Sequence, residues 1–154
     1  MSFAKIFATA ASAAAILLTP VPALASGSSD AENLRRLDIM LMVTSLRCRM
    51  GADDFQPHYR KFSANHLSTL NTAARSLEAG LVAQYGAKGA KRALDRISVG
   101  MANEYGQGHP WLGCSELKQI TSDLAASSDS SELKLAAAEL LAASPRIGGR
   151  FAAR

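Results

Sequence analysis

The strongest constraint on the fold is the helical spacing of apolar side chains between residues 55 and 81. These positions recur at steps of three and four, which places them on about one third of the circumference of an α-helix. They are Phe55, Tyr59, Phe62, His66, Leu70, Ala73, Leu77 and Leu81. Asp53 or Asp54 is expected to cap this helix, Pro57 is allowed in its first turn, and Gly86 is expected to end it. The pattern predicts one long amphipathic helix that buries its apolar face.

Four further segments are expected to be helical, since none has the alternating pattern of a β-strand. They are predicted at about residues 29–49, 88–105, 114–127 and 131–143. The centre of the first of them, LDIMLMVTSL at residues 37–46, is apolar nearly all round, which is typical of a helix at the centre of a bundle. The single glycine Gly86 predicts a tight turn between the second and third helices. We therefore expect an all-α protein, a small bundle of four to five helices.

The N-terminal segment, residues 1–25, has the features of an export signal. A basic residue, Lys5, precedes an apolar run over residues 6–18, and the small-residue pattern ALA at 23–25 predicts cleavage after Ala25. The remaining chain suits a single helical domain over 26–145, followed by a flexible C-terminal tail over 146–154. The expected location is periplasmic or secreted, and no membrane span is expected after cleavage because the apolar run at 39–46 is too short.

The chain has two cysteines, Cys48 and Cys114. In an oxidising compartment two thiols usually pair, and two cysteines allow one intramolecular connectivity. Metal ligation and an intermolecular bridge are the alternatives. Neither cysteine belongs to a CxxC or CxxCH motif, so the patterns of zinc ribbons, redox sites and haem attachment are missing. One disulfide is therefore predicted, with no metal and no cofactor.

The formal net charge is +4, and it becomes +3 when Lys5 is removed with the signal. This mild excess gives no electrostatic footprint for nucleic acid, which we exclude as a partner. The basic residues are scattered, apart from the C-terminal arginines and a group between residues 88 and 96. Lys88, Lys91, Arg92 and Arg96 are expected to form a solvated face of the third helix.

Three ionisable side chains fall on inward faces of three different predicted helices: Asp38, His66 and Glu104. If they converge, they would form an acid–base or metal-assisted site inside the bundle. The other interpretation is that each is a separately satisfied polar residue. The chain has no HExxH, EF-hand, GxSxG or SxxK motif to support an enzyme. These residues are therefore weak catalytic candidates.

The loop EYGQGHPWLGC, residues 104–114, contains three glycines, one of the cysteines and the only tryptophan. We interpret it mainly as a structural corner tied to the first helix through Cys114. The alternative is a recognition surface, because rigidly held loops often carry function and aromatic side chains can anchor a partner. In that case Tyr105, His109 and Trp111 would form the contact.

Three segments resemble a group of small exported bacterial proteins of unknown function: RLDIMLMVTSLRCRM, ADDFQPHYRKF and KGAKRALDRISVGMANEYGQGHPWLGC. The resemblance covers residues 34–120. Similar chains are sometimes labelled S-adenosyl-L-homocysteine hydrolase, an enzyme with a doubly wound domain that binds NAD. This chain has neither a GxGxxG motif nor alternating strands and helices, so the resemblance assigns no catalytic residue.

The sequence therefore favours an exported helical binding or interaction protein that works without catalysis. Its expected partner is an envelope protein or a small molecule, and the expected state is a monomer or weak dimer. Two alternatives stay open: a small hydrolase or metal-assisted enzyme with its site in the bundle interior, and an envelope stress or chaperone-like protein.

Overall fold

The computed structural model describes residues 24–143 and 149–151, with side chains from residue 29 onward. Five helices make up the described chain, which contains no strand, so the predicted all-α class is confirmed. They are α1 (Leu24–Arg47), α2 (Gln56–Asn65), α3 (Leu67–Glu104), α4 (Cys114–Ala126) and α5 (Ser130–Leu140). The predicted export signal lies outside the described residues except for its last two, which begin α1.

The first helix is the centre of the bundle, as the apolar character of its central stretch, residues 37–46, predicts. It contacts each of the other four helices. Leu37, Met40 and Leu41 are fully buried in the main core. The hydroxyl of the buried Thr44 donates to the Met40 carbonyl, 2.6 Å away, so a polar side chain is accommodated without a missing hydrogen bond. The helix is longer at its start and shorter at its end than the predicted 29–49.

The predicted long second helix is interrupted at His66, which is a correction to the sequence interpretation. His66 has φ −102° and ψ 11° and separates α2 from α3. The break lies where the chain contacts α4: the His66 ring bonds to the Leu124 carbonyl at 2.9 Å, and Asn65 Nδ2 donates to the Ala125 carbonyl at 2.7 Å. The hydrogen bonds from His66 N to Phe62 O and from Leu70 N to His66 O persist. The apolar face therefore continues across the break.

Gly86 reverses the chain inside α3. Its φ of 67° and ψ of 168° lie in a region that essentially only glycine adopts. Two residues of α3 that are far apart in sequence lie at the same point of α1. Ala73 lines a cavity together with Leu34, and Ser98 accepts a hydrogen bond from the adjacent Arg35. A straight helix would hold Ala73 and Ser98 about 37 Å apart. The two halves of α3, residues 67–85 and 87–104, therefore form a helical hairpin, and the predicted tight turn is confirmed.

The second half of this hairpin runs in the same direction as α1. Ser98 contacts Arg35, Glu104 pairs with Arg36, and the Gly106 carbonyl accepts from Arg47 at 3.4 Å. Successive residues of the hairpin thus contact successive residues of α1, so the two segments are parallel. The turn at Gly86 consequently lies toward the N-terminal end of α1, away from Cys48.

The last two helices close the core through the faces that their sequences predict. Leu117, Ile120 and Leu124 of α4 are buried, and so are Leu133, Ala137 and Leu140 of α5. The last helix ends at Leu140 rather than at the predicted residue 143.

Part of the predicted flexible tail packs against the bundle. Phe151 is buried in the main core, its backbone N–H donates to Glu139 Oε1 at 2.7 Å, and Arg150 pairs with Glu132. Residues 149–151 are therefore held against α5. The sequence did not predict this contact, because the segment has no periodic apolar pattern. The rest of the segment lies outside the described residues.

The predicted disulfide is present between Cys48, just after α1, and Cys114, the first residue of α4. The two Cα atoms are 5.7 Å apart and 66 positions separate the residues in sequence. The bridge closes a loop that includes α2 and the α3 hairpin.

Within the described part of the chain, no helix is long and apolar enough to cross a membrane.

Candidate functional site

The loop of residues 104–114 holds the end of α5 through its aromatic side chains. Trp111 Nε1–H donates to the Ala142 carbonyl at 2.9 Å, and His109 Nε2 bonds to the Leu140 carbonyl at 2.8 Å. The His109 and Trp111 rings meet edge to face with centroids 4.9 Å apart, and the Tyr105 and His109 rings are nearly parallel with centroids 6.3 Å apart. We call Tyr105, His109 and Trp111 the aromatic corner.

These contacts fix the protonation of His109. Since a carbonyl only accepts, Nε2 must carry a proton, and Nδ1 then accepts the Trp111 backbone N–H at 3.4 Å. Burial lowers the pKa of His109, against the opposing effect of the bond to Leu140. The neutral ring is therefore the form that the corner requires.

The aromatic corner has few groups free to bind a partner. Tyr105 is buried, and the polar atoms of the other two rings already bond to the chain. A cavity of about 420 Å³ lies beside the corner, lined by Tyr105, Pro110 and residues 141–143 among others. Its role in binding stays a prediction.

Asp38, His66 and Glu104 lie in separate hydrogen-bonding environments. Asp38 accepts from Tyr59 and faces Arg35, while His66 bonds to an α4 carbonyl and Glu104 pairs with Arg36 at the surface. No group of three or more His, Cys, Asp or Glu side chains within the described residues could hold a metal ion. The geometry therefore gives each of the three candidate residues its own structural partner.

A groove between α1 and α2 is a candidate site that the sequence reasoning missed. It encloses about 190 Å³. Its lining combines apolar and polar side chains from both helices: Met42, Ser45, Leu46, Gln56, Tyr59 and Arg60. Leu46 is 48% exposed although it belongs to the central helix. We call this feature the α1–α2 groove.

A satisfied polar cluster adjoins the groove through Tyr59. The Tyr59 hydroxyl donates to Asp38 Oδ1 at 3.0 Å, and Arg35 lies 3.5 Å from Oδ2. Burial raises the pKa of Asp38, whereas the Tyr59 hydrogen bond and the Arg35 charge oppose that rise. Burial also raises the pKa of Tyr59, and the Asp38 charge adds to the effect. The phenol therefore stays protonated and keeps its donor on Asp38.

Arg60 is the charged side chain in the lining of the groove. Its side chain is exposed and has no ion pair within the described residues. Asp54 accepts the backbone N–H of Gln56 at 3.0 Å and so helps to start α2. The α1–α2 groove thus offers apolar side chains together with one cation that has no ion-pair partner among the described residues.

Comparison of the chain with protein-family models, with curated proteins and with solved structures finds no match. The fold and its surface define a small all-α bundle with one disulfide, an aromatic corner and a groove lined by both apolar and polar side chains.

Proposed function

We propose that the protein is an exported helical interaction protein that binds an apolar, acidic segment of a partner protein in the α1–α2 groove. It acts by binding rather than by catalysis. The observation that carries this proposal is the exposure of Met42 and Leu46 on a helix that is otherwise largely buried.

The apolar wall of the groove suits a helical or extended partner segment. Met42 and Leu46 are four residues apart, so they lie on adjacent turns of one helix face. Methionine is flexible and polarizable and adapts to different partner surfaces, and grooves lined by such side chains bind the apolar faces of amphipathic segments. Met50, 87% exposed just beyond α1, adds to the apolar surface at this end of the molecule.

The charge near the groove selects among such segments. Arg60 forms part of the lining, so an acidic side chain beside the apolar residues of the partner would find a cation there. A basic segment would instead meet charge of its own sign. We therefore favour an acidic partner segment.

An extracytoplasmic location is part of the proposal. The Cys48–Cys114 disulfide supports it, because such bonds persist in oxidising compartments. The export signal inferred for residues 1–25 and the resemblance of residues 34–120 to small exported bacterial proteins point the same way. The expected partner is accordingly an envelope protein.

The proposal is tested by site-specific crosslinking in producing cells. A photoreactive amino acid replaces Leu46 in one version of the protein and Leu135 in the other. Leu135 is the matched control, since it is an exposed leucine on α5, 70% accessible and outside the groove. We expect an adduct from position 46 whose peptide map shows a segment that is both apolar and acidic.

The mapped segment is then synthesised and its binding to the purified protein is measured by fluorescence anisotropy. Leu46→Glu and Arg60→Glu are expected to weaken binding at least tenfold, and Leu135→Glu is expected to leave it unchanged. Equal adducts from positions 46 and 135, or no adduct from 46, would refute the proposal.

A further inference from the structure

The turn of the α3 hairpin exposes apolar side chains at the end of the molecule away from the disulfide. Every residue from Val82 to Lys88 is exposed. Val82 is 42% and Tyr85 46% accessible, although both are large apolar or aromatic side chains. We call residues 79–88 the hairpin tip.

A cationic face continues from the tip along the second half of the hairpin. Lys88, Lys91, Arg92 and Arg96 are all exposed, and none has an ion pair or hydrogen bond within the described residues. At 100° per residue they cover an arc of roughly 140°, opposite to the arc that holds the buried Ala90 and Ala93. The chain has no acidic residue from 79 to 94, and Asp95 is the one carboxylate within the face.

We propose that the hairpin tip and its cationic face dock the protein on an anionic lipid bilayer surface. Tyr85 and Val82 enter the headgroup region, and the lysine and arginine side chains lie against the lipid phosphates. This site is separate from the α1–α2 groove and does not depend on the function proposed for it.

The combination of side chains favours a bilayer over other anionic partners. Tyrosine prefers the interface between water and hydrocarbon, where its ring is in an apolar layer and its hydroxyl stays hydrated. Basic side chains next to such residues bind anionic headgroups, and the two contributions add. A solvated helix face alone would explain the cations, but it would not explain why Val82 and Tyr85 stay uncovered beside them.

The test is co-sedimentation with lipid vesicles, using protein recovered from the envelope of producing cells after its N-terminus has been determined. One set of vesicles is phosphatidylcholine, and the other is an equimolar mixture with phosphatidylglycerol. We expect binding to the mixed vesicles only. Each basic residue near an anionic surface strengthens binding by about fivefold, so Lys88→Gln/Lys91→Gln/Arg92→Gln should lower the partition coefficient on the order of 100-fold.

The matched control removes the same number of charges elsewhere. Arg49→Gln/Arg60→Gln/Lys61→Gln has the same net charge as the tip variant, and its binding is expected to stay close to that of the parent. Equal losses in both triple variants would show a non-specific charge effect and overturn the proposal. Failure of the parent to bind the mixed vesicles, or equal binding to both kinds of vesicle, would also overturn it.

The apolar part is tested by Val82→Ser/Tyr85→Ser, which keeps every charge. The parent is expected to retain part of its binding at high salt, where electrostatic attraction is screened, and this variant is expected to lose that part. Thermal melts of all variants should coincide with the parent, since the substituted side chains are exposed. Unchanged binding of the serine variant at high salt would refute insertion of the tip.

Discussion

Removal of the disulfide tests how the two ends of the long loop are held together. The bridge joins residues 66 positions apart, and in the chain-entropy model a loop of that length restricts the unfolded state by about 4 kcal/mol at 25 °C. An unfolding entropy of about 2.1 cal/mol/K per residue gives about 250 cal/mol/K for about 120 residues, so the melting temperature should fall by about 15 °C. Cys48→Ala/Cys114→Ala is the perturbation, followed by circular dichroism melts and urea titrations.

Two comparisons separate the covalent link from the packing of the side chains. Wild-type protein kept reduced retains both sulfurs, and Cys114→Ala alone retains Cys48, which is buried. If the link is what stabilises the fold, the reduced protein and the single variant should lose about as much stability as the double variant. A loss below about 1 kcal/mol in all three would refute the reasoning, because the loop would then be closed by non-covalent contacts alone.

Two further predictions concern the aromatic corner and the hairpin turn. Because the folded protein lowers the pKa of His109 below its ordinary 6.5, the unfolded chain binds more protons as the pH falls through 6.5 toward the folded value. Stability is lost in that window, and urea titrations of His109→Gln should show a weaker pH dependence, by at most about 1.4 kcal/mol per pH unit. Gly86→Ala should cost about 1–3 kcal/mol of unfolding free energy because of the backbone conformation alone, whereas Gly80→Ala, inside a helix and with open space around it, should add about 1 kcal/mol. Equal effects of the two alanines, or identical pH profiles with and without His109, would contradict these assignments.

Some parts of the fold follow from the sequence because single residues or short patterns indicate them. Helical spacing predicts the buried faces of α4 and α5, and Gly86 marks the one reversal inside α3, because few other residues tolerate that conformation. The cysteine pair follows from the residue count: two cysteines allow one intramolecular bridge, although 66 positions separate them. Each of these features depends on residues that carry their own structural signal.

The features that sequence reasoning missed are set by tertiary contacts. The break at His66 coincides with hydrogen bonds to carbonyls of α4, which the sequence of α2 does not reveal. Phe151 does not belong to a periodic apolar pattern, so the sequence does not indicate that it is buried against α5. Met42 and Leu46 belong to a stretch that is apolar nearly all round, and only the position of α2 decides which of its side chains stay exposed. Periodicity indicates that a helix has an apolar face, but it does not indicate what covers that face.

The two proposed surfaces are far enough apart to succeed or fail independently. Leu46 of the groove lies near Cys48, at the C-terminal end of α1. The first half of the hairpin contacts Ala31, near the other end of α1, and the tip lies beyond that contact. Leu46 and Ala31 are about 22 Å apart along α1. Substitutions separated by more than about 10 Å, with no shared partners, usually act additively. Charge removal at the tip should therefore leave the groove intact, and a protein that binds vesicles through the tip can still present the groove to an envelope partner.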